Sequence, residues 1–344
     1  MTKNVKVGVV GCGYWGPNLV RNFRDLPDSE LICICDKDSD RISSVQARFP
    51  GVEAYDDIDV MLDQADLDAV TICTPVHLHF PLAKKALEAG KHTLIEKPMA
   101  ASAAECEELI ALAHKNGVVL MVGHTFLYSP PVRQIKSIID SGDIGTVEYI
   151  SSRRLNLGLF QKDINVAWDL APHDVSIVLY LIGKMPASVN CQGNANVTPG
   201  IEDVTNMSLQ FPGGEFAMVQ SSWLDPRKVR EMTIVGSQRM IVYDDVEPLQ
   251  KIRVYDTRVD ATPAHYDTFA EFQYSYHYGD MHAPRIEQQE PLKQECQHFI
   301  DCICNGETPL SSGDNGLGVV KVMEAASASL KNGGSRIPLT ANGT

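Results

Sequence analysis

No apolar run in this chain approaches the roughly 18 residues needed to cross a bilayer, and nothing in it reads as a membrane span. Positive charge is scarce: 30 Lys and Arg against 44 Asp and Glu leave a formal net charge of −14. That balance argues against nucleic acid or an anionic membrane surface as a partner, because both reward a basic face. An anionic substrate would need a local arginine cluster. The nine cysteines include no C-x-x-C pair and no secretory spacing. Cys33 and Cys35 share one face of an apolar strand and read as core thiols, a pattern that fits a reducing cytoplasm rather than a disulfide scaffold. The chain runs from Met1 straight into a strand with no signal peptide, so a cytoplasmic location is expected. Internal repeats and low-complexity linkers are also missing.

What is present is ordinary globular composition, 44% hydrophobic and 22% charged over 344 residues, enough for two domains with separate cores. Residues 1–123 alternate strand and helix patterns. Nearly continuous apolar runs at Val5–Val10, Leu31–Cys35, Ala69–Cys73, Thr93–Ile95 and Val118–Val122 suit parallel strands covered on both faces. A helix near 102–115 carries a capping box, Ser102 with Glu105, and a glycine stop at Gly117. This half is expected to be a doubly wound α/β domain that binds a dinucleotide. After Gly123 the pattern changes. Helices are expected near 131–141 and 169–182, with strands at Thr146–Asn156, Glu202–Gln210, Glu215–Ser222, Glu231–Val235 and Met240–Tyr243. Two closing helices are expected near 290–304 and 314–331. Turn signals at Pro212-Gly213-Gly214 and Gly236-Ser237 separate strands of a large, mainly antiparallel open sheet. Residues 124–344 are thus expected to form a second domain for substrate binding and oligomerisation, with an exposed sheet face as the oligomer surface.

The most informative stretch is Gly11-Cys12-Gly13-Tyr14-Trp15-Gly16, between the first strand and a helical pattern. Glycines so spaced let the chain turn tightly and bring backbone N–H groups against a pyrophosphate at a helix N-terminus. Asp36 ends the next strand, where a carboxylate can bind a ribose 2′-hydroxyl and favour NAD over its 2′-phosphorylated relative. Tyr14 and Trp15, inside the turn, read equally as cofactor cover or as packing.

Hydride transfer also needs a group to accept the hydroxyl proton. In a doubly wound sheet such groups gather beyond the carboxyl ends of the strands. Thr74-Pro75 and Glu96-Lys97-Pro98 sit at two such ends. Lys97 could donate a hydrogen bond to a reacting oxygen; on position alone it reads equally as a surface lysine before a helix. Asp169 and His173 lie four apart on a helical pattern and face the same way. A carboxylate beside an imidazole suits a general base, though an arbitrary pair at this spacing is more often a helix-terminal acid next to a core histidine. His77 and His79 have an H-x-H spacing, but no third ligand at metal-site spacing accompanies them, and no metal is expected. Six aromatics between Tyr266 and Tyr278 read as sheet packing or a subunit contact before a stacking platform for a base.

Taken in order and at these separations, Gly11–Gly16, Asp36, Thr74-Pro75 with His79, Glu96-Lys97-Pro98 and the Asp169–His173 pair resemble the glucose–fructose oxidoreductase/inositol dehydrogenase/MocA (Gfo/Idh/MocA) family over essentially the whole chain. The resemblance implies a Rossmann domain followed by an open-sheet α/β domain with the active site between them. It implies NAD held by Gly11, Cys12, Gly13, Tyr14, Trp15, Gly16, Asp36, Thr74, Pro75, His79, Glu96 and Lys97. It also implies an acid–base pair of Lys97 and His173, with Asp169 assisting His173. Two departures alter the walls of the substrate pocket. Val76 stands where the family often has Asn, and Ala167-Trp168 and Ala171-Pro172 replace glycines around the acid.

The W-D-L-A-P-H-D segment at 168–174, with Gly13–Asn18 and Glu290-Pro291-Leu292, is similar to a subgroup acting on nucleotide sugars. Its best-known activity oxidises the 3-hydroxyl of UDP-N-acetylglucosamine, or of its uronic acid, to a ketone that an aminotransferase then converts to an amine. The resemblance therefore implies a nucleotide-sugar substrate contacted by Arg154, Asn156, Trp168, Asp169 and His173, and a homodimer or homotetramer. Arg153, Arg227, Lys228, Arg230 and Arg285 are further candidates for the diphosphate. A free polyol dehydrogenase of inositol type and a non-catalytic NAD-binding regulator stay open as alternatives.

Overall fold

A computed structural model describes residues 4–260 and 275–339. Contacts group the chain into two compact units, residues 1–129 with 289–324 and residues 130–288 with 325–344. Each is described by itself.

The first unit is built on six parallel strands in the order β3-β2-β1-β4-β5-β6: β1 (Val5–Val10), β2 (Ser29–Cys35), β3 (Glu53–Tyr55), β4 (Ala69–Ile72), β5 (His92–Glu96) and β6 (Leu120–Gly123). Strand order reverses between β1 and β4, the switch point at which open α/β sheets bind ligands beyond their carboxyl ends. The strands are apolar on both faces because helices cover both. Val7, Val9, Ile34, Ile72 and Ile95 are fully buried. Burial pushes the Cys33 and Cys35 thiols up to about 12, so they are inert core groups. The crossovers are α1 (Gly16–Asp25), α2 (Ser39–Arg48), α3 (Ile58–Gln64), α4 (His79–Glu88) and α5 (Ala103–Asn116). The Ser102 hydroxyl accepts from the Glu105 N–H at 3.3 Å, and Gly117 ends α5 in the left-handed region at φ 63°. The Glu105 carboxylate reaches the Ala101 N–H rather than that of Ser102, so the capping box closes one residue early.

Two later segments join this unit although they follow the second sheet in sequence. Helix α8 (Pro291–Asn305) sets Phe299 edge-on against Phe23 of α1, ring centroids 6.4 Å apart. At its N-cap, Glu290 ion-pairs with Arg21. In the first part of α9 (Gly313–Lys331), Glu324 accepts from the Ala103 N–H.

The second unit carries a nine-stranded sheet in the order β14-β13-β12-β11-β7-β10-β9-β8-β15. Its strands are β7 (Val147–Leu155), β8 (Ser188–Asn194), β9 (Val204–Gln210), β10 (Phe216–Ser222), β11 (Val229–Gly236), β12 (Met240–Asp244), β13 (Ile252–Asp260), β14 (Ser275–His282) and β15 (Ile337–Pro338). Every pairing is antiparallel except β7 with β10. Helix α6 (Pro130–Asp140) precedes the sheet, and α7 (Val166–Ile182) packs on β7, β9 and β10. Alternation along β10 turns Ala217 and Val219 inward and leaves Met218 exposed. Tyr149 of β7 is exposed too. Of the aromatic run at 266–278, Tyr266, Phe269, Phe272 and Tyr274 lie outside the described residues, while Tyr276 and Tyr278 stack on the exposed face of β14. No helix among the described residues is long and apolar enough to cross a membrane.

One charge pair sits inside this second core. Arg154 of β7 is only 5% exposed, and its Nε donates to Asp174 Oδ2 of α7 at 2.6 Å. Ser152 Oγ donates to the same carboxylate at 2.8 Å. Arg154 is therefore occupied in tying β7 to α7, not presented to a substrate diphosphate. Removing one partner of such a buried pair strands the other, so Asp174→Asn is expected to destabilise folding by about 3–5 kcal/mol. Urea unfolding checks this; a loss below about 1 kcal/mol, the scale of exposed pairs, would rule it out.

Candidate active site

The first group of site residues lines the carboxyl edge of the parallel sheet. Gly11 ends β1 at φ 103°, a conformation L side chains rarely adopt, and a Cβ there would meet the Cys73 carbonyl oxygen at 2.8 Å. A Cβ at Gly16 would collide with the Gly11 carbonyl oxygen; lacking one, α1 starts directly against the strand end. At Gly13 a Cβ would meet only Arg41 Nη1, at 3.6 Å, so this backbone is open to a ligand. The α1 N-terminus has no side-chain cap from Trp15. Its N–H groups and helix dipole thus form the kind of anion site that a pyrophosphate fills.

Asp36 follows β2 and is fixed by backbone donors. The Cys12 N–H donates to Oδ2 at 2.6 Å and the Asp38 N–H to Oδ1 at 2.9 Å. A carboxylate held this way is positioned to accept from a ribose hydroxyl and would repel a 2′-phosphate. Within the same edge, Trp15 Nε1 and Thr74 Oγ1 are buried without a partner at ordinary hydrogen-bond geometry, as expected where a polar ligand completes the site. Pro75 and Tyr14 are exposed, Tyr14 at 94%. His79 is buried at the start of α4, its ring nitrogens 2.7 Å from the Thr74 carbonyl oxygen and 2.8 Å from that of Pro98. Burial pulls its proton affinity down against these two contacts. The residue links the Thr74 loop to the Glu96-Lys97-Pro98 loop, and both ring nitrogens are engaged with backbone.

Glu96 closes β5, with Lys97 next to it; both are half-buried. The Lys97 N–H donates to Glu96 Oε2 at 3.2 Å. Gly123 pairs with Glu96 across β6. A Cβ there would lie 3.2 Å from Glu96 Oε1, so the glycine makes room for the carboxyl group. The peptide bond between Lys97 and Pro98 is cis.

The second group lies in the other unit, on α7. The helix starts three residues before the expected position because Asn165 is its N-cap, accepting from the Trp168 N–H at 3.2 Å. Asp169 thereby falls in the first turn, where a carboxylate is favoured by the helix dipole. Asp169 and His173 share a helix face by their four-residue spacing. Trp223, after β10, donates from Nε1 to Asp169 Oδ2 at 2.9 Å, and Trp168 donates from Nε1 to Ser327 Oγ at 2.7 Å. Asn156 is half-buried just past β7, its N–H on the Ser222 carbonyl oxygen. Among the other basic candidates, Arg230 pairs with Asp245, whereas Arg227, Lys228 and Arg285 are exposed.

Sequence reasoning missed Trp223 and Asn165 as supports of the acid on α7, His124 near Lys97, and Glu295 near Glu96. Trp223 is one of three tryptophans, a scarcity that could have drawn attention to it. Nothing in the local pattern marks Glu295, which sits in the first turns of a proline-started helix like any solvated glutamate.

The family model described as "Oxidoreductase family, NAD-binding Rossmann fold" matches residues 5–124, and the GFO/IDH/MocA C-terminal domain model matches residues 132–242. A UDP-N-acetylglucosamine 3-dehydrogenase of Acidithiobacillus ferrooxidans is 30% identical over 244 residues, covering 70% of this chain and 74% of that protein. A scyllo-inositol 2-dehydrogenase (NAD(+)) of Bacillus subtilis is 27% identical, covering 97% and 96%. Among solved structures, the UDP-N-acetylglucosamine 3-dehydrogenase of A. ferrooxidans superposes with a TM-score of 0.80 at 24% identity, over 96% of this chain and 98% of that one. Its glycine turn, its Asp36 clamp and these matches establish the chain as a member of the Gfo/Idh/MocA oxidoreductase family with an NAD-binding Rossmann domain.

Proposed function

We propose that this protein is an NAD-dependent dehydrogenase that oxidises the C3 hydroxyl of a UDP-sugar, UDP-N-acetylglucosamine or a close relative. The observation that carries the dehydrogenase reading is the gathering, on one sheet edge, of the glycine turn, the backbone-clamped Asp36 and the Glu96-Lys97 pair. The nucleotide-sugar reading rests on the likeness to the A. ferrooxidans enzyme. In this reading the amides of the glycine turn hold the pyrophosphate and Asp36 accepts from the ribose hydroxyls. NAD bound there supplies the hydride acceptor. Lys97 hydrogen-bonds the reacting oxygen, and His173, with Asp169 in support, takes the hydroxyl proton. Trp223 keeps Asp169 aimed by occupying one of its oxygens. Asn156 and Trp168 contact the sugar nucleotide. The 3-keto product is a ketone of the kind an aminotransferase converts to an amine, and the protein is read as a homodimer or homotetramer assembled through the sheet face that exposes Tyr149 and Met218.

Positioned acid–base groups contribute about 10²–10⁴-fold. Lys97→Met is accordingly expected to lower kcat by about that factor while leaving NAD affinity near wild type, measured by stopped-flow and by cofactor titration. A few-fold loss would remove Lys97 from the chemistry. NADH formation, with an aminotransferase and glutamate present to withdraw ketone, is expected with UDP-N-acetylglucosamine and not with free inositol. The reverse preference would replace the nucleotide sugar by a polyol. NAD is expected to support turnover better than NADP, and Asp36→Ala is expected to narrow the difference. Light scattering on a sizing column is expected to give two or four copies, reduced by Met218→Lys; a wild-type monomer would defeat the assembly.

A further inference from the structure

Around Asp36 the cofactor site carries a cation as well as an acid. In dinucleotide-binding folds of this kind an acid after the second strand favours NAD, whereas a nearby arginine accommodates a 2′-phosphate. This chain has both. Arg41 lies in the first turn of α2, and its Nη1 stands 3.6 Å from where a Cβ of Gly13 would be. The guanidinium therefore borders the same glycine turn whose Cys12 N–H holds Asp36. Left to itself, a half-exposed guanidinium at that place would draw a phosphate and weaken the discrimination that Asp36 provides.

What occupies the guanidinium is Asp38. Arg41 Nε pairs with Asp38 Oδ2 at 3.2 Å. The other oxygen, Oδ1, caps α2, accepting from the Asp40 N–H at 3.0 Å and from the Arg41 N–H at 3.3 Å. The Asp38 N–H in turn donates to Asp36 Oδ1 at 2.9 Å. These contacts close a circuit from the glycine turn through Asp36, Asp38 and Arg41 back to the glycine turn. Within it, one carboxylate takes up the guanidinium that a phosphate would seek. A second anion brought to the same guanidinium would meet the negative charge of Asp38 as well as that of Asp36. We propose that Asp38 is a second cofactor-selecting residue, which holds Arg41 as its internal counter-ion and so denies it to the 2′-phosphate of NADP. The two side chains are 46% and 54% exposed, so solvent screens the pair and its share of the selectivity is modest beside that of Asp36. Lys37, between the two acids in sequence, is exposed as well and serves as the control cation. The inference rests on the assignment of Asp36 to the ribose and is independent of the sugar substrate.

Calorimetric titration of the cofactor-free protein with NAD and with NADP tests this without a substrate. Asp38→Asn removes the charge and keeps a residue type that caps helices well. It is expected to raise the ratio of NADP to NAD affinity about fivefold, the scale on which one exposed ion pair acts. The gain is expected to shrink below about twofold in an Arg41→Ala background, where there is no guanidinium to release. It is expected to persist in a Lys37→Ala background. An unchanged ratio in Asp38→Asn would overturn the proposal. So would an equal gain with and without Arg41, which would mean a simple loss of repulsion, or a gain that disappears with Lys37 instead. Should Asp38→Asn prove unstable, Asp38→Ser, also a capping residue without charge, decides in the same way. A wild-type protein that binds NADP more tightly than NAD would overturn the role given to Asp36 and this inference together. A wild-type preference for NAD with no response to Asp38→Asn would overturn this inference alone.

Discussion

Helix α1 can begin against the end of β1 only because position 16 carries no side chain, its Cβ being barred by the Gly11 carbonyl. That one close approach sets the rest of the carboxyl edge. It brings the helix N-terminus, with its uncapped N–H groups, level with the strand ends. It also leaves the Cys12 amide facing the Asp36 carboxylate across the switch point. The clamp on Asp36 follows from the turn rather than from Asp36 itself. A longer residue at 11 or 16 would move the amides, and the acid would lose the donors that aim it. The aim of the Asp36 carboxylate and the placement of α1 are thus one constraint seen from two sides.

Much of this edge was legible in the amino-acid order, because parallel strands buried on both faces leave unbroken apolar runs. β1 is found at the residues expected, and β2, β4, β5 and β6 within two or three residues of the expected bounds. β3, with three residues, is too short for any period to emerge. In the second unit β8 was missed. Its Ser-Val-Asn-Cys-Gln-Gly-Asn sequence buries only its first half, and its outer half is polar and exposed. β13 and β14 were missed because they extend into an exposed ribbon whose alternation is not apolar against polar.

The site residues divide in the same way. Those marked by backbone shape or local spacing, Gly11, Asp36 and the Asp169–His173 pair, carry a signature over a few residues. Those defined by a distant partner carry none. Arg154 looked like an available cation on a strand face, yet Asp174 lies twenty positions on and closes over it. Trp223 is fifty-four positions from the acid it supports. Tertiary pairing, not propensity, decides whether a charge is offered to a ligand or locked away, and no window of sequence contains both partners.

The return of residues 289–324 to the first unit has a consequence for how that unit is made. Phe23 and the Arg21 guanidinium are covered by Phe299 and Glu290, so the parallel sheet emerging early from the ribosome has one helical layer incomplete. Its final coat is synthesised about 170 residues after the last strand of that sheet, counted from Gly123 to Leu292. The nascent Rossmann half must wait with an apolar seam open until α8 has been made, so the emergence of that helix, rather than strand order, sets the moment at which it closes.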